Sequence, residues 1–370
     1  MGIKRKPGFF GKLILLGGLL SMGALLLSYL APVVNPNHFW PIAFFGIGYM
    51  PILILNLLFL IYWAIRKRWI ALFSFALILA GWPFLTRHIG FHGSPSAAVL
   101  ANPDTANIRL LTYNIHLFRG VDDDMHLTNK DSILSIVKEI SPDIICFEEF
   151  YTRIKGKHKT IKSVMESAGL SHYYFYPNQK NDYEQNGEAI FSRYPIIDTG
   201  YVKLMNSNRS SRMIYVDLLR NGQKFRVYCV HLRSIGFQPE DYEFINNADK
   251  TNDEVMATKR IGKRLKWAFT DRGEEAVSLR KHADSCQTPY LIAGDFNDTP
   301  MSYAVSQISK GMKNCFKEKG SGWGVTYNGD FPNFQIDYIL ASSQIQVKHY
   351  QIISKKISDH NPVWADLSLK

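Results

Sequence analysis

Three stretches of this 370-residue chain carry no charged residue: Leu13–Val34 over 22 positions, Phe39–Ile65 over 27, and Trp69–Thr86 over 18. A helix needs roughly 20 mainly apolar residues to cross a bilayer, where its backbone polar groups must be satisfied internally. The first two stretches meet that length. The third is marginal and contains Gly81 and Pro83, which weaken a helix interior. Buried core helices are the competing reading, strongest for the third stretch. A cleaved signal peptide fits poorly, because its apolar run would be shorter and two more would not follow. The expectation is an N-terminal transmembrane segment over residues 1–88 with three helices.

Charge placement orients that segment. Lys4, Arg5, Lys6 and Lys12 precede the first stretch, Asn35–His38 carries no Lys or Arg, and Arg66, Lys67 and Arg68 separate the second stretch from the third. Basic connections stay cytoplasmic. Three crossings would therefore deliver everything after about Arg87 to the outer side, periplasmic or extracellular. Two crossings would leave it inside. Of the formal net charge of +11, the eight Lys/Arg before residue 104 account for +8, with no Asp or Glu among them, which leaves +3 for residues 104–370. The soluble part is thus nearly balanced. That argues against a generally basic nucleic-acid binder, although a local patch can hide in a neutral total.

Gly90–Pro103 is rich in Gly, Ser, Ala and Pro and reads as part of a linker over residues 89–106. From residue 107 to 370 strands outnumber helices. Ile108–Ile115, Asp143–Phe147, Ala189–Ser192, Met213–Leu219, Phe225–Leu232, Tyr290–Ala293, Ile336–Leu340, Val347–Ile353 and Val363–Leu367 read as strands. Asn221-Gly222 is a hairpin signal. Asp131–Ile140 and Thr160–Ala168 read as helices, and Glu240–Ala283 as one or more. This pattern favours a layered α/β domain with antiparallel or mixed sheets. Cys146, Cys229, Cys286 and Cys315 have neither zinc-ligand nor C-x-x-C spacing.

Several apolar runs end in a group able to bind phosphate or metal. Leu291-Ile-Ala-Gly-Asp-Phe-Asn297 presents Asp295 and Asn297, two positions apart and so on one side of an extended chain. Asp295 suits a base or metal ligand, and Asn297 a neutral hydrogen-bond donor to a charged oxygen. The other ends are Asn114, the pair Glu148-Glu149, His231, Asp337 and Asp359-His360. Singly, each has a plain reading as an Asx turn, a solvated face or a surface imidazole. Together they share an awkward position, a polar group closing or interrupting an apolar strand. The donor set is hard oxygen with imidazole, which suits Mg²⁺, or Mn²⁺, over zinc. The chain lacks G-x-x-x-x-G-K, G-x-S-x-G and H-E-x-x-H.

The order Asn114, Glu149, Ser192-Arg-Tyr-Pro-Ile196, His231, Asp295-x-Asn297, Asp337, Asp359-His360 resembles the endonuclease/exonuclease/phosphatase superfamily of deoxyribonuclease I-like hydrolases, in a membrane-anchored bacterial-type member. The resemblance spans about Ile108 to Leu369. It implies a four-layer sandwich, with two mixed or antiparallel β-sheets packed face to face and helices outside. It implies metal-assisted hydrolysis of a phosphodiester or phosphomonoester. By the same resemblance Glu149 is the principal metal ligand, with Asn114 and Asp359 near the ion. Asp295 orients or deprotonates water, and Asn297 bonds the phosphoryl oxygen. His231 and His360 flank the phosphate, and Asp337 holds His360. Glu148 stands where many members have Gln, Gly187-Glu188 where Gly-Asn is frequent, and Cys229-Val230 where Asn-Thr is frequent. The expectation is a membrane-anchored phosphoesterase acting on a phosphate ester, which tethering suggests is lipid-linked. A membrane-tethered nuclease for DNA or RNA is the nearest rival. A scaffold that has lost catalysis is the rival of another class.

Overall fold

Alternation along the apolar strands decides the layers. The computed structural model describes residues 8–119, 127–155, 159–205, 212–246, 254–329 and 333–369. One six-stranded sheet has the order β13 (Ile345–Ile352), β14 (Val363–Leu369), β2 (Ile108–Asn114), β3 (Ile144–Arg153), β5 (Glu184–Ser192), β4 (His172–Lys180). The other has the order β10 (Lys313–Asn314), β12 (Asp337–Ala341), β9 (Tyr290–Asp295), β8 (Gln223–His231), β7 (Met213–Arg220), β6 (Ile196–Tyr201). Within each sheet only one adjacent pair is parallel, β2–β3 and β8–β9.

Successive strand side chains face opposite ways. Ile108, Leu110, Ile144 and Cys146 face Val216, Val227, Cys229, Leu291 and Ala293 across the inter-sheet core. Leu111, Tyr113, Ile145 and Phe147 face outward, onto Ile133, Ile136, Val137 and Ile140 of α8 (Lys130–Ile140) and Val164 of α9 (Thr160–Ala168). On the far side Tyr228, Val230, Ile292 and Leu340 pack on α11 (Glu254–Asp284) and α12 (Tyr303–Ser309). The result is the expected sandwich: helices, sheet, sheet, helices. The short α10 (Pro239–Asn246) precedes α11, and α13 (Cys315–Lys319) follows β10. Residues 247–253 of the segment expected to be helical lie outside the described residues, as do Lys4, Arg5 and Lys6.

The N-terminal apolar stretches form helices of unequal length. They are α1 (Phe9–Leu30), α2 (Pro36–Phe39), α3 (Ile42–Ile47), α4 (Tyr49–Ile65), α5 (Ile70–Ala80) and α6 (Trp82–Leu85). Among the described residues only α1, with 22 residues, is long and apolar enough to cross a membrane; α4 and α5 are shorter apolar helices. The second stretch breaks at Gly48 and the third at Gly81, each glycine capping the helix before it. At 11 residues α5 is about 17 Å long, well short of a bilayer core of about 30 Å.

The segment read as a linker contains β1 (Ile89–Phe91), antiparallel to β11 (Ser321–Trp323), and α7 (Ala97–Ala101). The buried Arg109 orders it by donating to the carbonyls of Val99 and Leu100, while pairing with Asp366. The hairpin at Asn221-Gly222 forms, with φ of 51° and 79°. Strands β4 and β6 have no counterpart in the sequence reading, and β5 begins five residues earlier than its apolar run.

Candidate active site

The two parallel pairs end on the same side of the sandwich. Asn114 closes β2, Glu149 lies where β3 bulges, and His231 and Asp295 close β8 and β9 as register partners. Asp337 opens β12 directly opposite Asp295 in the antiparallel register. Asp359 and His360 precede β14. Asn114, Glu149, His231, Asp295, Asn297, Asp359 and His360 line one cavity of about 240 Å³. Asp337 lies behind it, with its two oxygens 3.1 and 3.0 Å from His360 Nδ1. The Ser192-Arg-Tyr-Pro turn is elsewhere: Ser192 pairs with Ile144 at the other end of β3, and its hydroxyl caps Tyr194 N–H.

The backbone explains why these side chains converge. Gly294 has φ 144°, and a Cβ there would stand 1.9 Å from Val230 O, so β9 can run beside β8 only with glycine. The β3 bulge between Phe147 and Phe150 puts Glu149 at φ 52° and separates the two adjacent acids. Glu148 turns into the core, where it accepts from Thr112 Oγ1 at 3.0 Å and Cys229 Sγ at 3.3 Å. Glu149 turns to the cavity and is 32% exposed.

Asp295 is held from three directions. Its Oδ1 accepts Asn297 N–H at 2.7 Å, and its Oδ2 accepts Asn114 Nδ2 at 3.1 Å and Asn297 Nδ2 at 3.0 Å. Burial raises its pKa, and this outweighs the nearby His360 and His231. His231 Nδ1 is 3.2 Å from Glu188 Oε1, while Nε2 has no hydrogen-bond partner and lies 3.9 Å from Glu149 and 3.8 Å from Asp295. Burial lowers the His231 pKa, but Glu188 and Asp295 raise it more, for a net rise. His360 behaves likewise: burial opposes its charge, and Asp337 with Asp295 lifts its pKa well above the ordinary value. In both rings the carboxylate at Nδ1 directs Nε2 towards the cavity.

Other residues at the site have no catalytic role in the sequence reading, although Gly187-Glu188 stands out as a departure from the family pattern and Gly320–Tyr327, with Trp323, reads as either a substrate loop or a turn over a buried aromatic. Glu188 is buried and orients His231, and Asn178 Nδ2 donates to its second oxygen. A carboxylate just before the apolar run Ala189–Phe191 is the same signature used elsewhere and could have revealed it. Arg272, on α11, contacts the Asn297 carbonyl and lies 3.2 Å from Asp298. The ring of Tyr327 packs edge-on against His360 at 5.2 Å. Tyr327 lines the cavity and Trp323 does not. Ile47, from α3, lines it as well, beside Ile235, Phe237, Phe334 and Ile336.

A family model for the endonuclease/exonuclease/phosphatase family matches residues 111–360. The chain belongs to the endonuclease/exonuclease/phosphatase family. Its members are hydrolases acting on phosphoester bonds, generally with a divalent metal. A second model, described as a domain of unknown function, matches residues 11–88. No curated protein matches. Among solved structures, an endonuclease/exonuclease/phosphatase from Beutenbergia cavernae is 18% identical, with TM-score 0.51, over 71% of this chain and 72% of that one. A family protein from Bacteroides thetaiotaomicron is 18% identical, with TM-score 0.51, over 71% and 98%. The human Nocturnin catalytic domain is 18% identical, with TM-score 0.50, over 71% and 94%. At these identities the likeness is one of fold.

Asp295, Asp337 and His360 offer ligand atoms within 4.8 Å of one another, a candidate acid–imidazole metal site. Asp337 is already bonded to His360 there. Glu149, Asn114 and Asp359 form a second set, all hard oxygen donors on the cavity wall.

Proposed function

We propose that this chain is a membrane-anchored, Mg²⁺-dependent phosphoesterase, with its site facing the outer bilayer surface and a lipid-linked phosphate ester as substrate. The observation that carries the lipid reading is Ile47. A residue of the apolar N-terminal segment lines the same cavity as Glu149, His231 and His360.

Helices α1 and α5 are patterned inside out, which supports the anchor. The buried residues of α1 are Gly18, Ser21, Leu25 and Ser28, and the buried residue of α5 is Ser74. Asn56 Nδ2 donates to Ser21 Oγ at 2.8 Å, and Gly18 lies against Trp63. Leu16, Leu20, Ile54, Leu58, Leu72 and Phe73 face outward. Small and polar residues between helices with large apolar ones outside suit lipid as the solvent. The sidedness reading draws support from the contacts at one end of the bundle. Asn35 donates to Tyr303 Oη, and Arg87 to Pro300 O, so the end of α1 and the end of α6 both meet the catalytic domain. Helix α5 alone is too short to cross, and the reading rests on α5 and α6 together returning the chain to the side where α1 ends. Arg66–Arg68 lie at the far end of α4.

The oxygen donors Glu149, Asn114 and Asp359 fit a hard divalent cation, and we assign them to hold it. When bound, the ion supplies positive charge for the phosphoryl oxygens. Asp295, with its raised pKa, accepts the proton of the attacking water. His231 and His360, charged more readily than ordinary imidazoles, each donate from Nε2 to phosphoryl or leaving-group oxygen. Asn297 adds a neutral donor. Ile47, Ile235, Phe237, Phe334 and Ile336 provide an apolar rim suited to an alcohol group carried on a lipid.

The test is a substrate panel with the purified full chain and Mg²⁺: phospholipids, lipid-linked phosphates, DNA, RNA and a soluble chromogenic diester. Lipid turnover lost on chelation and restored by Mg²⁺ supports the reading. Turnover of nucleic acid alone replaces it with the nuclease, and no turnover of any ester favours the scaffold.

A further inference from the structure

The first half of α11 is strongly basic. Between Val255 and Thr270 it carries five Lys/Arg and no Asp or Glu. Two of the five pair with the buried Asp241 of α10, Arg260 Nε at 2.6 Å and Arg264 Nε at 3.1 Å. Lys259, Lys263 and Lys266 are exposed, together with Val255, Met256 and Trp267. Helical geometry places these six within about 120° of one face. Large apolar side chains exposed between lysines contribute nothing to the core beneath.

The continuation of that face sets what it looks towards. Further along it, Thr270 O accepts from Asn37 Nδ2 at 3.2 Å, and Gly273 packs against Pro36. The Lys266 ammonium lies 5.9 Å from the Trp40 ring, and Phe269 meets Phe44 edge-on at 5.6 Å. Asn37 and Pro36 belong to α2, and Trp40 follows it, at the end of the apolar helix α1. The face that docks on the end of the helical bundle therefore runs on, exposed, for about 17 Å beyond Lys266.

We propose that the first half of α11 lies on the anionic surface of the bilayer that holds the N-terminal helices. Lys259, Lys263 and Lys266 take lipid phosphates, and Val255, Met256 and Trp267 enter the headgroup layer. This rests on the membrane-anchored reading above. Lipid fits better than a nucleic acid, because Val255 and Met256 have no stacking face and the Trp267 ring is covered by the Lys263 ammonium at 4.6 Å. The docked helix also places the cavity rim. Arg264 donates to Gly236 O at 2.7 Å, and Gly236 and Phe237 line the cavity.

The experiment is amide exchange on the full chain in lipid nanodiscs, with phosphatidylcholine alone or with added phosphatidylglycerol. A surface lysine near anionic lipid is worth about fivefold in occupancy. Exchange over residues 255–270 should slow by about tenfold or more in the anionic discs. The triple variant K259E/K263E/K266E should abolish the slowing, as should high salt, while leaving hydrolysis of a soluble chromogenic diester unchanged. Equal exchange in both discs, unaltered by the triple variant, overturns the docking face and leaves the anchor standing. A chain that does not stay in the discs overturns both. Protection by single-stranded DNA and not by anionic lipid reassigns the face to nucleic acid.

Discussion

Glu148 and Glu149 are neighbours in sequence and opposites in environment. Burial, with Cys146 and Asp337 adding to it, raises the Glu148 pKa well above the ordinary carboxyl value, and its Oε2 has no hydrogen-bond partner. A folded-state pKa above the unfolded one gives stability that is full below the unfolded pKa and lost as pH rises through the folded one. Glu148→Gln removes the charge to be suppressed. Its melting temperature should match the wild type near pH 4 and exceed it increasingly towards pH 8. A parallel fall with pH in both proteins would contradict this. The second residue-scale expectation concerns Asp337. Asp337→Asn removes the charge that steers His360, so kcat should fall by about 10²–10⁴-fold with KM little changed. The His360 limb of the pH–rate profile should move to lower pH. A loss of kcat at unchanged profile would mean Asp337 serves folding alone.

At the scale of elements, the loop after β9 couples the site to the helical segment. Met301 is fully buried in a cluster with Leu25, Tyr49 and Leu53, six residues after Asp295. Gly46 of α3 is pressed against the Met301 carbonyl, where a Cβ would lie at 2.9 Å. Met301→Ala should cost about 2–5 kcal/mol by opening a cavity, read from unfolding in detergent. It should also lower kcat through the attached Asp295–Asn297 turn. Stability lost with full kcat would show that the loop holds its geometry unaided. Gly294→Ala meets backbone 1.9 Å away at φ 144°, so no folded protein is expected from that variant.

At the scale of the whole molecule, the helical and catalytic parts share one cavity wall. Removing residues 1–88 would strip Ile47 from the site and uncover Met301 and Phe269. The truncated chain should aggregate, or remain soluble with KM for lipid substrates raised more than KM for a soluble diester. Equal loss on both substrates would detach the helices from substrate choice. Chelation should abolish turnover of both, with Mg²⁺ restoring it.

Periodicity and turn chemistry are local, and they were legible. Ile133, Ile136, Val137 and Ile140 mark α8, Asn221-Gly222 marks its hairpin, and Gly-Asp-Phe-Asn at 294–297 marks a strand mouth bearing chemistry. Strands β4 and β6 were not legible, because their side chains are mostly half-exposed or exposed and carry no apolar alternation. Neither was the role of Glu188, which depends on β5 lying in one sheet and His231 in the other. By itself the sequence determined the apolar strands and amphipathic helices of the catalytic domain, the apolar N-terminal helices and the kinds of polar group at strand ends, since each depends on residues close along the chain. The family resemblance had already pointed to Glu149 for the ion and Asp337 for His360. Only the tertiary structure decided that Glu148 turns into the core, that Glu188 holds His231, and that an apolar residue from the first fifty lines the site. Those outcomes depend on a bulge, on register and on contacts between residues up to about three hundred positions apart, and no local pattern encodes them.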